Sequence, residues 1–131
     1  MTNIWTNGCF DILHIGHIKL FEYAKSLGDV LYVGIDSDER IKKAKGDDRP
    51  INDQETRRSI LLSIKYIDSI DIFYSNENLV DLIKKYKIDT IVVGDDYKDK
   101  TVLGSDCADV IFFPKIQNIS TTKIISTIWD R

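Results

Sequence analysis

The sequence predicts a doubly wound α/β domain, a mainly parallel five-stranded sheet with helices on both faces. Three observations predict it. Five short apolar runs alternate along the chain with segments of helical periodicity, the order that builds parallel sheets. The second run, DVLYVGID, is almost continuously apolar, as expected of a strand covered on both faces. The chain has 131 residues, 43% of them hydrophobic, which suits a single core spanning residues 1–131.

The elements follow in order. NIWTNGCF reads as a first strand ending in a glycine turn. From Gly16 to Leu27 the apolar positions Ile18, Phe21, Ala24 and Leu27 recur every three residues, as on one helix face, with Gly28 as the C-terminal cap. After the second strand, SDERIKKAKGDDRP reads as a helical turn followed by a mobile loop. Asn52 and Glu55 form a capping pair for the helical ETRRSILLSIKYI. SIDIFYS is a third strand, ENLVDLIKKYK a helix, DTIVVG a fourth strand and DVIFFP a fifth. STTKIISTIW closes the chain as a helix with Ser120 at its N-cap. Ligands of such sheets lie beyond the carboxyl ends of the strands, so the segments just after them are the places to search.

A net charge of −3 argues against a general binder of nucleic acid or anionic membrane. The N-terminus lacks the pattern of a signal peptide, and no apolar run reaches the roughly 18–20 residues of a membrane span. Two cysteines are too few for a disulfide scaffold. Cytoplasmic residence is the expectation.

Both histidines fall in GCFDILHIGH, between a glycine turn and the start of a helix. Gly8 allows a tight turn and close approach of a ligand. His14 and His17 share one side of a helical turn, and Gly16 keeps the surface between them low. Unpaired N–H groups at a helix start attract anions, and imidazole donors there suit phosphates.

HIGH after a first strand, KGDDRPIN, VVGDDY and ISTTKI, in that order and covering nearly the whole chain, resemble the cytidylyltransferase-like nucleotidyltransferases. Glycerol-3-phosphate cytidylyltransferase and heptose 1-phosphate adenylyltransferase belong to that family. The resemblance implies a Rossmann-like fold and attack of an acceptor phosphate on the α-phosphorus of CTP or ATP, with release of pyrophosphate. It also implies Mg²⁺, a phosphorylated polyol or sugar as acceptor, and a homodimer in which Ile60–Ile70 serves as interface or core. Class I aminoacyl-tRNA synthetases share the HIGH element, but this chain has no KMSKS run and no room for a synthetase body.

Carried over residue by residue, the resemblance makes His14, His17, Lys45 and Asp11 catalytic, with Asp11 close to the triphosphate or its magnesium. Thr6, Gly8, Cys9, Phe10, Gly16, Gly94, Asp95, Asp96, Ile119, Ser120, Thr121 and Thr122 would bind nucleotide. Lys42, Arg57, Tyr97 and Lys115 would bind substrate. Lys115 and Lys65 stand where glycerol-phosphate and choline-phosphate enzymes carry arginine, and lysine lacks the planar fork that grips phosphate at two points. KGDDRPIN instead looks like the heptose-phosphate pattern, whereas the compact length and the GDDY and ISTTKI pair look like the glycerol-phosphate enzyme, so the resemblance leaves base and acceptor open. Two other readings stand beside this one. Cys9, Cys107, His14 and His17 supply four potential zinc ligands, and a nucleotide-binding regulator without turnover would keep the same turn.

Overall fold

The computed structural model describes residues 1–94, 100–114 and 121–129. Five parallel strands form one sheet: β1 (Asn3–Gly8), β2 (Val30–Asp36), β3 (Ser69–Phe73), β4 (Thr90–Gly94) and β5 (Asp109–Phe113). Their order is β3-β2-β1-β4-β5. The helices are α1 (Ile15–Ser26), α2 (Asp38–Lys45), α3 (Gln54–Leu62), α4 (Asn76–Lys85) and α5 (Thr121–Trp129). The Rossmann-like expectation is met, with β1 at the centre and its carboxyl end facing the ligand side of the sheet.

Alternation along the strands divides the core in two. Ile4, Leu31, Val33, Ile70 and Val92 face Phe21 and Ala24 of α1 and Leu61 of α3. Trp5, Phe73 and Ile91 face Leu79, Leu82 and Ile83 of α4. Neighbours in the sequence thus feed opposite layers, which requires both faces of the sheet to be covered.

Several boundaries differ from the sequence reading. Ser37 caps α2 by accepting from the N–H of Arg40, so DERIKKAK is a helix of eight residues rather than one turn. Lys42, Lys43 and Lys45 therefore ride on its last turn, before Gly46 ends it at φ 101°. The cap of α3 is Asp53, one residue after Asn52, with Oδ1 accepting from Thr56 N at 2.8 Å. Gly28 is needed for space rather than as a left-handed cap: a Cβ there would lie 2.7 Å from Ile4 Cγ1 and 2.8 Å from the Thr2 carbonyl. Leu27, in helical conformation, ends α1. Within Ile60–Ile70 the side chains divide: Leu61, Ile67 and Ile70 are core, while Ile60 and Leu62 are exposed. The cap assigned to Ser120 lies outside the described residues.

Candidate active site at the carboxyl edge of β1 and β2

His14 is the N-cap of α1 in extended conformation, and its Nδ1 accepts the N–H of Gly16 at 3.0 Å. His17, three residues on, accepts the N–H of His14 at Nδ1, 3.1 Å away. The two imidazoles thereby close a reciprocal capping box, a device ordinarily built from Ser or Thr with Glu. Because Nδ1 accepts in both rings, each neutral ring carries its proton on Nε2. The rings stack at 3.9 Å between centroids. A Cβ on Gly16 would come within 2.7 Å of His14 Cε1, so this glycine is required by the ring beside it.

Burial first, then the neighbouring His14 and Lys45, holds the His17 imidazole at a pKa of about 4. His17 is therefore a neutral hydrogen-bond donor at physiological pH. Beneath it lies Phe10, edge-on with centroids 5.4 Å apart and also packed on Phe21. The left-handed backbone of the turn falls on Phe10 (φ 48°) and not on Gly8. Gly8 instead leaves room for the Phe10 ring, whose Cζ would be 3.1 Å from an added Cβ. Phe10 and Thr6 are buried, so both belong to the foundation of the turn and present little surface to a nucleotide.

Asp11, expected close to the triphosphate or its magnesium, has a structural role in the turn. It is 3% exposed, and its two oxygens accept the N–H groups of Ile51 (2.6 Å) and Asn52 (2.8 Å). It anchors the segment between α2 and α3 to the histidine turn. Arg49, which the sequence reading passed over, lies against it with Nε 3.8 Å from Asp11 Oδ2, and Nε and Nη2 of this buried guanidinium have no hydrogen-bond partner among the described residues.

Arg57, expected to bind substrate, is engaged inside the fold. It is fully buried on α3 and donates to the carbonyls of Asn52 (3.0 Å), Cys9 (2.9 Å) and Asp36 (2.8 Å) and to Asp38 Oδ1 (2.8 Å). One side chain thus fastens the ends of β1 and β2, the start of α2 and the approach to α3. Arg58 is exposed.

Lys45 is exposed at the end of α2, and its charge is felt by both His17 and Cys9. Lys42 is exposed on the same turn, and Lys43 pairs with Glu39 at 3.3 Å. Thr121 opens α5 and donates from Oγ1 to the Ile12 carbonyl at 2.7 Å, bringing the last helix onto the histidine turn, while Thr122 is exposed. Gly94 ends β4 on the same edge of the sheet. Asp95, Asp96, Tyr97, Lys115, Ile119 and Ser120 lie outside the described residues.

The geometry does not support the zinc reading. Cys9 Sγ lies 3.7 Å from Asp36 Oδ2, and burial followed by that carboxylate pushes its thiol pKa up. Cys107 lies in the turn before β5, at the amino ends of the strands, opposite the edge that carries the histidines. Among the described residues, no group of three or more His, Cys, Asp or Glu is placed to hold a metal ion.

The sequence matches the cytidylyltransferase-like family over residues 5–127. The chain belongs to that family. Within it, the chain is 49% identical over 123 residues to the bifunctional protein HldE of Nitratiruptor sp., covering 93% of this chain and 26% of that protein. The HldE of Aliarcobacter butzleri is 46% identical over 128 residues, covering 97% and 27% respectively. The chain thus spans about a quarter of the length of these curated relatives. The crystal structure of a lipopolysaccharide core biosynthesis protein from Thermoplasma volcanium superposes with a TM-score of 0.74 at 27% identity, covering 89% of this chain and 99% of that one. Nucleotidyl transfer is the chemistry that the family's name describes.

Proposed function

We propose that the chain transfers a nucleoside monophosphate from a nucleoside triphosphate, ATP in preference to CTP, to heptose 1-phosphate, releasing pyrophosphate in the synthesis of a lipopolysaccharide precursor. The observation that carries this reading is the reciprocal histidine cap at the start of α1, which fixes two neutral imidazoles with their protons on Nε2. The similarity to HldE and to a lipopolysaccharide core biosynthesis protein supports the acceptor. The KGDDRPIN segment supports ATP.

An oxygen of the acceptor phosphate attacks the α-phosphorus, and the bond from that phosphorus to the pyrophosphate oxygen breaks. A phosphate monoester has its second pKa near 6 and is already mostly a dianion at neutral pH, so no general base is needed. The protein's work is alignment and stabilisation of charge on the phosphates. His14 and His17 donate from Nε2 as charge shifts onto the leaving pyrophosphate. The start of α1 adds the positive end of a helix dipole, and Lys45 adds a mobile cation. A divalent cation, Mg²⁺ in this reading, offsets triphosphate charge. In this reading the ion arrives bound to the oxygens of the triphosphate, and the Asp11 carboxylate serves the turn by accepting from Ile51 and Asn52. The same reading takes residues 1–131 as one catalytic domain, cytoplasmic and homodimeric, and keeps for Asp95, Asp96, Tyr97, Lys115, Ile119 and Ser120, which lie outside the described residues, the nucleotide- and substrate-binding roles that the resemblance implies.

The test is a matrix of the four nucleoside triphosphates against heptose 1-phosphate, glycerol 3-phosphate and other phosphorylated polyols, read by pyrophosphate release. ATP with heptose 1-phosphate should give the fastest release. Tight nucleotide binding without release anywhere in the matrix would leave the regulator as the correct reading.

A further inference from the structure

Asp36 is the last residue of β2, beside the turn that follows β1, because Gly8 pairs with Ile35 in the sheet. Its carboxylate is 19% exposed, and Oδ1 accepts from Arg40 Nε at 3.0 Å. Arg40 is itself pinned from elsewhere: Nη2 donates to Asn76 Oδ1 at 3.2 Å, and the guanidinium lies over the Phe73 ring at 5.0 Å. The carboxylate is thus held in a fixed orientation by an arginine that has other anchors. Among the described residues, its second oxygen, Oδ2, has only the Cys9 thiol at 3.7 Å, a weak donor at long range. A carboxylate accepts about four hydrogen bonds, so capacity remains on Oδ2. Asp36 is not spent on capping α2 either, because Ser37 does that.

The surroundings divide by charge. Lys45 lies close enough to Cys9 and His17 to perturb both, which puts a cation on the phosphate side of this corner. Asp36 supplies an acceptor one strand away from the histidine turn. A cation beside an oriented carboxylate matches a ligand that carries phosphate at one end and hydroxyl groups at the other.

We infer that Asp36 determines specificity by accepting hydrogen bonds from the hydroxyls of a phosphorylated polyol bound beside the histidine turn, the polyol being the acceptor sugar or the ribose of the nucleotide. The inference rests on the nucleotidyl-transfer reading and adds to it the residue that reads hydroxyls.

The experiment compares the wild-type chain with Asp36→Asn, using ATP, 2′-deoxy-ATP, 3′-deoxy-ATP, heptose 1-phosphate and its monodeoxy analogues. In the variant, the remaining carbonyl oxygen goes to Arg40 and an amide N–H₂ faces the ligand. The expected result is a rise of about tenfold to hundredfold in KM for one hydroxylated partner, with kcat and Tm near wild type. Removing the hydroxyl that Asp36 reads should cost the wild type a similar factor and the variant almost nothing. Loss that follows a heptose hydroxyl identifies the acceptor as the source, and loss that follows the 2′- or 3′-hydroxyl of ATP identifies the ribose. Equal penalties in both proteins for every analogue would overturn the assignment. So would a wild type indifferent to every deoxy analogue, a result that stands even if the variant does not fold. Absence of pyrophosphate release from the wild type with any pair would instead overturn nucleotidyl transfer itself.

Discussion

Arg57 and Asp38 are joined by a bond of 2.8 Å from Nη2 to Oδ1, with the arginine side chain wholly buried and the aspartate 31% exposed. The guanidinium also holds the carbonyls of Cys9 and Asp36, so this pair is the point at which the ends of the two central strands are tied together. Arg57→Ala would strand three carbonyls and a carboxylate. A loss of about 3–5 kcal/mol in urea denaturation is expected, the usual cost of breaking a buried pair from one side. Arg57→Lys should recover only part of it, because an ammonium cannot span four acceptors in one plane. An Arg57→Ala protein of wild-type stability with a large rise in KM would show instead that Arg57 binds substrate.

His14→Asn separates the two jobs of the first histidine. Asparagine is a good N-cap and can still accept from the N–H of Gly16, so helix content by circular dichroism should be kept. The Nε2 donor is lost, and kcat should fall by about 10²–10³-fold. His17→Ala should lower kcat by a similar factor. Turnover close to wild type in either variant would remove the histidines from the reaction.

Gly16→Ala sets two effects against each other. Alanine favours a helix by about 1 kcal/mol over glycine. Its Cβ, however, would meet His14 Cε1 at 2.7 Å and push the ring out of its stack. Activity should drop by about 10²-fold, the cost of displacing a catalytic group by roughly an ångström. Thermal denaturation should show a fold that is not correspondingly weakened, and wild-type turnover would mean that the ring position is not critical.

The depressed pKa of His17 fixes the sign of a pH effect. The unfolded chain takes up its proton near the ordinary histidine value of about 6.5, and the folded chain only near about 4. Between those values the unfolded state binds more protons, so stability rises with pH across the window and is lost on acidification. Proton NMR should place the His17 midpoint near pH 4, and urea midpoints should fall between pH 6.5 and 4. An acid limb of kcat/KM near 6 should then follow the acceptor phosphate and not this imidazole. A His17 midpoint near 6.5 would contradict the burial described above.

Metal dependence should track the nucleotide. If the ion is carried by the triphosphate, as the proposed reaction has it, Mg²⁺ should saturate the rate when it matches the concentration of triphosphate, whatever the amount of protein. A metal that remains bound to the protein after removal of the nucleotide would contradict this.

Most of the architecture was legible because strand-length apolar runs and helical periodicity are local signals. DVLYVGID is apolar on both faces, and the structure covers it on both. The histidine turn was legible as a candidate site, since a glycine turn, two imidazoles and a helix start lie within ten residues. The capping box made by the rings was not, because sequence rules look there for hydroxyls and carboxylates. The hydrogen-bond partners of Arg57 and Asp11, and the place of Arg49 beside Asp11, were not legible for one reason: those contacts join residues far apart along the chain. A charge within ETRRS or KGDDRP reads as solvated, and only the folded chain brings Cys9, Asp36 and Asp38 to Arg57, or Ile51 and Asn52 to Asp11. Asp36 did carry a local signal, a carboxylate closing an apolar strand at the ligand edge of the sheet.

The ring of Phe10, turned inward by a left-handed backbone, gives one of the two imidazoles a dry aromatic floor. A base seated there keeps the same dipole across the acidities at which cells operate. The grip on a nucleotide's tail should therefore hold steady through metabolic acidification that would silence an enzyme relying on an ionising histidine.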